Sequence, residues 1–472
     1  MKWIIISSDA QSSCKTAISS YIAAILDHNQ IKINYIKLNP ALTVKMGLVS
    51  PDVIGEVFIT HDGAQTDKDI GIIERSLSYN LPSHSFLSLG QSVNHVNLIE
   101  TSSKSSGFDF LSVDEQLVDY IYHYISNFKE AVINIIEIGG SINDQAGLIF
   151  ARSIMKLDQI NNISSIHLGL DESSFVKVFK KPPTLFINFN DFKSQLSERK
   201  INSNIANSLK NLLYSYLNIR LSEFDQSHTY LHLIKKTQHK NTVKIALVGR
   251  HVNNLSAYLS VVDNLRAAAQ IVEMNIEFIP LNSKFLTQQN IETNMKNIES
   301  CILLDGFGDS GHFGKRISAK YCREHKIPLL GICQGAYQGI LEFAQSNNIE
   351  NWEQVIKPID EDEQGNIIGD KEISVLKNSL AEGLFKNDKM ERFYTVNNIN
   401  NEVFKQLEQF GMIGTVFNKA GTECKCAELK DHPMYILCSF LPQFNGRYNQ
   451  PHEVFIQLIM KGWQQRGQCM KE

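Results

Sequence analysis

The chain has 472 residues, 43% hydrophobic and 20% charged, which is enough length for two domains and the composition of an ordinary folded globular protein. Its net charge of −4 argues against broad electrostatic binding of nucleic acid. No apolar run reaches membrane-spanning length, and residues 1–10 hold too short a run for a signal peptide to be expected. The eight cysteines include no Cys-x-x-Cys, and Cys424-Lys425-Cys426 is too tight for the usual zinc spacing. Reduced thiols in a cytoplasmic protein are therefore expected.

Short apolar runs alternate with longer periodic segments. Strands are expected at Trp3 to Ile6 and Ile33 to Leu38, with an amphipathic helix at Thr16 to Asp27 between them. Further strands are expected at Ala131 to Glu137, Ser165 to Leu170 and Thr184 to Phe189, and helices at Val113 to Phe128 and Asn202 to Leu217. This alternation predicts a doubly wound parallel sheet over residues 1–225. Residues 226–242 are polar and read as a linker, and a second α/β domain is expected over residues 243–472. It opens on Val243 to Gly249, with strands at Ile276 to Ile279, Cys301 to Leu304, Ile327 to Leu330 and Met434 to Phe440, and a last helix at Val454 to Gln464. The acidic Asp360 to Gly365 reads as a solvated hairpin.

One turn carries recognisable chemistry. Ile327-Pro328-Leu329-Leu330 runs into Gly331-Ile332-Cys333-Gln334-Gly335 and then a helix, the form of a nucleophile elbow. Such a turn lifts one side chain to a helix N-terminus, where a thiolate is favoured, so Cys333 is expected to be accessible. Cysteine-based amide hydrolysis also needs a base and a group to orient it. At the end of the late strand, where that pair is sought, stand Leu441 and Gln443. Leucine cannot accept a proton and glutamine carries no charge. His312, His325 and His432 have no sequence relation that places them beside Cys333.

Several patches together resemble the CTP synthase family. Ser50 to Gly71 is similar to its SPxxHGEVFVxxDGAETDLDLG, Glu137 to Asp144 to its EVGGTVGD, and Lys37-Leu38-Asn39-Pro40 to its KLDPY. Pro328 to Gly335 resembles PYLGICLGMQ, and Asp431-His432-Pro433 followed by Phe440 to Phe444 resembles NHP followed by FHPEF. The resemblance implies a P-loop-type amidoligase domain followed by a class I glutamine amidotransferase-like domain. It implies that ATP phosphorylates the 4-oxygen of UTP, that ammonia displaces the phosphate, and that Mg2+ assists. Asp69 and Glu137 match the family's magnesium ligands. Ser12, Lys15, Lys37 and Asp144 match nucleotide contacts, Cys333 the glutaminase nucleophile, and Gly306 the oxyanion loop.

The departures from the family are equally specific. Its phosphate loop, GGVVSSLGKG, stands here as Ser7 to Thr16, with Lys15 kept, every glycine lost and Asp9 added. Glycines allow the positive φ and close N–H approach that a phosphate cradle needs. Asn39 replaces an aspartate and Ala146 a glutamate. The uridine-gripping KTKPTQ is absent, leaving Lys177, Lys180 and Lys181 in a basic loop. Leu441 replaces the catalytic histidine, Gln443 the orienting glutamate, and Asp305 enters the oxyanion loop. Glu391 to Asn397 keeps only the edges of ERHRHRYEVN. Two readings follow. One is an ATP-dependent amination of UTP or a related nucleotide, fed by free ammonia because glutamine is not hydrolysed. The other is a pseudoenzyme that binds nucleotide as a regulator, or assembles with an authentic CTP synthase. The family implies a homo-tetramer; neither nucleic acid nor membrane is an expected partner.

Overall fold

A computed structural model of the protein describes residues 2–10, 14–102, 113–128, 131–158, 163–192, 203–218, 221–225, 229–233, 239–306, 308–359, 367–385 and 390–469. They form two compact units, Met1–Val49 with Gln65–Lys236, and Ser50–Ala64 with Thr237–Glu472. Among the described residues no helix is long and apolar enough to cross a membrane.

The first unit runs β1 (Lys2–Ser8), α1 (Lys15–His28), β2 (Ile33–Asn39), α2 (Lys68–Arg75), β3 (Phe86–Ser88), β4 (Ile133–Ile138), α3 (Gln145–Asp158), β5 (Ile163–Gly169) and β6 (Leu185–Asn188). The sheet order is β3-β2-β4-β1-β5-β6, with every pairing parallel. A parallel sheet is covered on both faces, which is why the isoleucine runs of β1 and β4 are apolar without alternation. From β1 the chain crosses to β2 on one side, and from β4 to β5 on the other. The connections diverge at β4 and β1, and the carboxyl ends of strands at such a point form a natural ligand crevice.

The second unit contains β7 (Thr242–Gly249), α4 (Leu259–Ile271), β8 (Asn275–Asn282), β9 (Ser300–Leu303), α5 (His312–Glu324), β10 (Leu329–Ile332) and α6 (Gln334–Ser346). It continues with β11 (Ile367–Val375), β12 (Met390–Thr395), β13 (Met412–Asn418), β14 (Cys424–Leu429), β15 (Tyr435–Cys438) and α7 (Glu453–Cys469). The sheet order is β8-β7-β9-β10-β15-β14-β13-β11-β12. The first five strands pair in parallel and the others antiparallel.

Segment 50–64 lies by sequence inside the first expected domain, yet it packs within the second unit. Glu56 accepts the backbone N–H of Ser260 at 3.0 and 3.1 Å, near the start of α4. A carboxylate there meets free N–H groups and the positive end of the helix. The buried Arg392 donates to the Ile59 carbonyl at 3.0 Å, and the Phe58 ring meets Phe444 edge-on at 4.8 Å. Within the expected linker, Tyr230–Leu233 forms a short helix. Residues 226–228, 234–238 and the acidic 360–365 lie outside the described residues.

Candidate functional site

Two constellations stand at strand ends, one in each unit. In the first, Lys37 and Glu137 are register partners on the neighbouring strands β2 and β4. The Lys37 ammonium donates to Asp69 Oδ2 at 2.8 Å and to Glu137 Oε1. Glu137 is fully buried and both its oxygens are engaged. Oε1 also accepts from Thr16 at 2.9 Å, and Oε2 accepts from Ser19 at 2.5 Å and Tyr35 at 2.8 Å. Asp69 sits in the first turn of α2, where its Oδ1 also accepts from Lys68 at 3.2 Å.

Electrostatics follow from this packing. Burial works against the Lys37 charge, but Asp69, Glu137 and Asp67 outweigh it and hold the ammonium protonated beyond its usual range. Burial likewise opposes ionisation of Asp69, and Lys37 with Lys68 overcomes it, keeping its carboxyl well below the usual range. Asp67 goes the other way: burial, then Asp69, pushes it up to about 6. Asn39 donates to Asp67 at 2.7 Å, where a second aspartate would repel it.

Lys15 is 5% exposed and turned inward, donating to Ser8 Oγ and to the Gly140 carbonyl, each at 2.7 Å. Burial lowers its pKa to about 8. Asp144 accepts from the backbone N–H of Gly147 at 2.7 Å and of Ser141 at 3.1 Å, so it caps the start of α3. Ser12 lies outside the described residues. The departures in the phosphate loop have structural consequences. Cys14, at a family glycine position, has φ 60, a conformation that strains any residue with a Cβ. The Asp9 carboxylate accepts from the Leu170 N–H at 3.1 Å. Of the expected basic loop, Lys177 lies instead in a helix, Ser173–Phe179; Lys180, just after it, donates to the Lys177 carbonyl, and Lys181 pairs with Asp158.

Sequence reasoning missed His167. It lies on β5 opposite Ser7 of β1, with its Nδ1 3.0 Å from the Ser7 hydroxyl. Its Nε2 is buried and has no hydrogen-bond partner among the described residues. Burial lowers its pKa to about 4, and does the same to His432, which contacts the Cys322 carbonyl at 3.3 Å. Unfolded, both would take a proton near the ordinary value of 6.5. The unfolded state therefore binds more protons between these values, and stability should fall as pH drops from 6.5 to 4. Each histidine accounts for at most about 3 kcal/mol. Asp67 offsets part of this, because its carboxyl is raised to about 6 from 3.8. Urea titrations across the window should show the loss, with a shallower pH slope in His432→Gln.

In the second unit the elbow is formed. Cys333 has φ 48 and ψ −112, between β10 and α6. Gly335 is required there, since a Cβ would stand 2.0 Å from the Leu303 carbonyl oxygen. Contrary to expectation, the thiol is not accessible: Cys333 is 6% exposed, with Sγ 3.6 Å from the Tyr394 carbonyl oxygen. Burial, then Asp305, pushes its pKa up to about 12. Lys315 opposes this rise only partly; it is itself buried, lowered to about 8, and donates to the Leu304 carbonyl at 2.6 Å. Burial raises Asp305 as well. Gly306 has φ 137, and nothing lies within 4 Å of where its Cβ would be.

Leu441 and Gln443 are 2% and 1% exposed. The Leu441 N–H donates to the Arg392 carbonyl on β12 at 2.7 Å, two residues before the carbonyl that the Cys333 thiol meets. Gln443 Oε1 is buried with no hydrogen-bond partner among the described residues. His312, which sequence could not place, lies with Nε2 2.6 Å from the amide nitrogen of Gln334, the residue after Cys333. The buried His452–Glu391 pair, 3.2 Å apart, was also missed. His452 Nδ1 accepts the Val454 N–H, so its Nε2 donates to the carboxylate.

Alkylation tests the state of the thiol. Iodoacetamide labelling of Cys333, followed by peptide mass spectrometry, should rise about tenfold per pH unit through pH 10 without a plateau. A plateau near pH 8 would mean an activated thiolate.

Comparison with known proteins agrees with this two-part arrangement. A profile described as CTP synthase N-terminus matches residues 2–183, and one described as glutamine amidotransferase class-I matches residues 254–457. CTP synthase of Bacillus licheniformis is 28% identical, over 96% of this chain and 97% of its own. CTP synthases of Clostridium kluyveri and Clostridium beijerinckii are 27% and 26% identical, over 97% and 94% of this chain and 97% and 95% of their own. With both domain profiles matched in order and relatives aligned nearly end to end, the chain belongs to the CTP synthase family.

Proposed function

We propose that the protein aminates UTP, or a closely related nucleotide, using ATP and free ammonia, and does not draw ammonia from glutamine. The observation that carries this reading is the contrast between the two sites. Lys37, Asp69 and Glu137 converge in one ion-paired cluster, and Lys15 lies close enough to feel their charges. Cys333, in contrast, has its pKa raised by burial and by Asp305, with leucine where a base is needed.

In the reaction, ATP transfers its terminal phosphoryl group to the uracil 4-oxygen, and ammonia then displaces phosphate to leave the 4-amino product. Such transfers rest on positioning and on neutralising phosphate charge. Lys15 and Lys37 are the ammonium groups available for that. Asp69 and Glu137 would hold Mg2+. Two carboxylates at strand ends suit a hard cation that takes one or two carboxylates with water and phosphate oxygens. Bound Mg2+ would supply further charge neutralisation. The donor set fits, on the condition that Lys37 gives up its bond to Glu137, whose oxygens are otherwise fully used.

A second reading, nucleotide binding without turnover, is favoured by one feature. The loop after β1 carries Asp9 and a non-glycine residue, Cys14, at φ 60. Thermal unfolding with Mg-ATP and UTP, alone and together, tests both readings. Ligand that binds only the folded state raises Tm. A rise that disappears in Asp69→Ala, together with CTP formed from ammonium, supports amination. A rise without CTP supports the second reading, and no rise at millimolar nucleotide rules out both.

A further inference from the structure

We propose that Lys37 is an exchangeable counter-ion of the Asp69–Glu137 pair: its ammonium keeps divalent cations off the pair until a nucleotide phosphate offers it another anion. The inference rests on the proposed nucleotide site and adds an order of events to it.

The geometry distinguishes Lys37 from the other groups around Glu137. Each carboxylate oxygen accepts two hydrogen bonds, so neither keeps a free lone pair. Three of the four donors are hydroxyls, from Thr16, Ser19 and Tyr35. They are neutral, and they fix the carboxylate against α1 and β2. Tyr35 and Lys37 are two apart on β2 and so share a face, which brings both onto the same carboxylate.

Among the described residues Lys37 is the one charged donor to Glu137, and it also holds Asp69 at 2.8 Å. Its ammonium therefore satisfies both acids at once, as a metal ion would. A divalent cation approaching the pair meets a positive charge already in place, in a buried setting where repulsion is poorly screened. The lysine stem is flexible, and its head is a rotatable point charge that can transfer from carboxylate to phosphate. A phosphate at the ends of β2 and β4 would draw Lys37 away and free one lone pair on Glu137. Metal and nucleotide then bind with strong positive coupling, and metal alone binds weakly.

The probe is Mn2+ alone, followed by electron paramagnetic resonance on the full chain without nucleotide. Wild type should bind no more tightly than about 1 mM, as weak carboxylate sites do. Lys37→Met should bind at least about tenfold more tightly, because the charge that bridges both carboxylates is gone, although Lys68 still pairs with Asp69 Oδ1. The gain should vanish in Lys37→Met/Glu137→Gln, placing the ion on this pair. Wild type matching Lys37→Met, or Lys37→Met showing no gain, overturns the proposal.

Should Lys37→Met fail to fold, wild type alone still decides: a submillimolar Mn2+ site in the free protein is the overturning result, and its absence is the expected one. A structure of wild type with Mn2+ and a non-hydrolysable ATP analogue gives a second reading. Lys37 Nζ should then contact a phosphate oxygen, and Nζ still bonded to both carboxylates beside the metal would overturn the proposal. If the analogue does not bind, the amination reading fails, while the Mn2+ comparison still judges Lys37.

Discussion

Given Mg-ATP and UTP, ammonium should yield CTP, whereas glutamine should yield at least about 10⁴-fold less, with no matching release of glutamate. The reason is cumulative. With a pKa near 12, roughly 10⁻⁵ of the Cys333 thiol is ionised at pH 7. Leu441, which takes no proton, stands at the position expected for the base, and His312 is paired with the Gln334 side chain. The elbow backbone survives, with Cys333 at φ 48, so the loss is chemical and not architectural. The charge of Asp305, which acts on the thiol, adds to the barrier, because a negative charge there opposes both a thiolate and a developing oxyanion. Chromatographic assay of CTP and glutamate in parallel checks the result. Glutamate released in step with CTP would refute it.

Replacing Glu137 by leucine should cost the first unit about 3–5 kcal/mol, the scale for breaking a buried ion pair. Four donors lose their acceptor at once: Thr16, Ser19, Tyr35 and Lys37. Lys37 would keep only Asp69 as a close partner, in a site 5% exposed at the lysine. Glu137→Gln should cost less, about 1–3 kcal/mol, because one amide oxygen still accepts. Amide hydrogen exchange in β1, β2 and β4 reads this locally, which matters in a chain of two units where one global transition is not assured. Both variants should also lose any rise in Tm with Mg-ATP. Unchanged exchange in Glu137→Leu would show that the buried network contributes little.

Much of the architecture was legible along the chain. Apolar runs such as Trp3 to Ile6 and Val243 to Gly249 fall in strands because a doubly covered parallel sheet demands uninterrupted apolar residues. The elbow at Cys333 was legible because its glycines are required by close backbone approach, as at Gly335. What residues 441 and 443 can do as side chains was legible from identity alone: leucine takes no proton in any fold, and glutamine carries no charge.

The state of those side chains was not legible. Sequence suggested an accessible Cys333, and burial set it otherwise. It gave no sign that segment 50–64 packs within the second unit, or that His167 Nε2 and Gln443 Oε1 are buried without a hydrogen-bond partner among the described residues. Residue types and local periods were set by the chain itself, and with them the strands and the helices. Which groups meet was decided by strand order: β4 lies beside β2, a hundred residues away in sequence, and that adjacency joins Lys37 to Glu137. Local pattern carries no record of neighbours so distant, and a carboxylate's charge and hydrogen bonds depend on those neighbours.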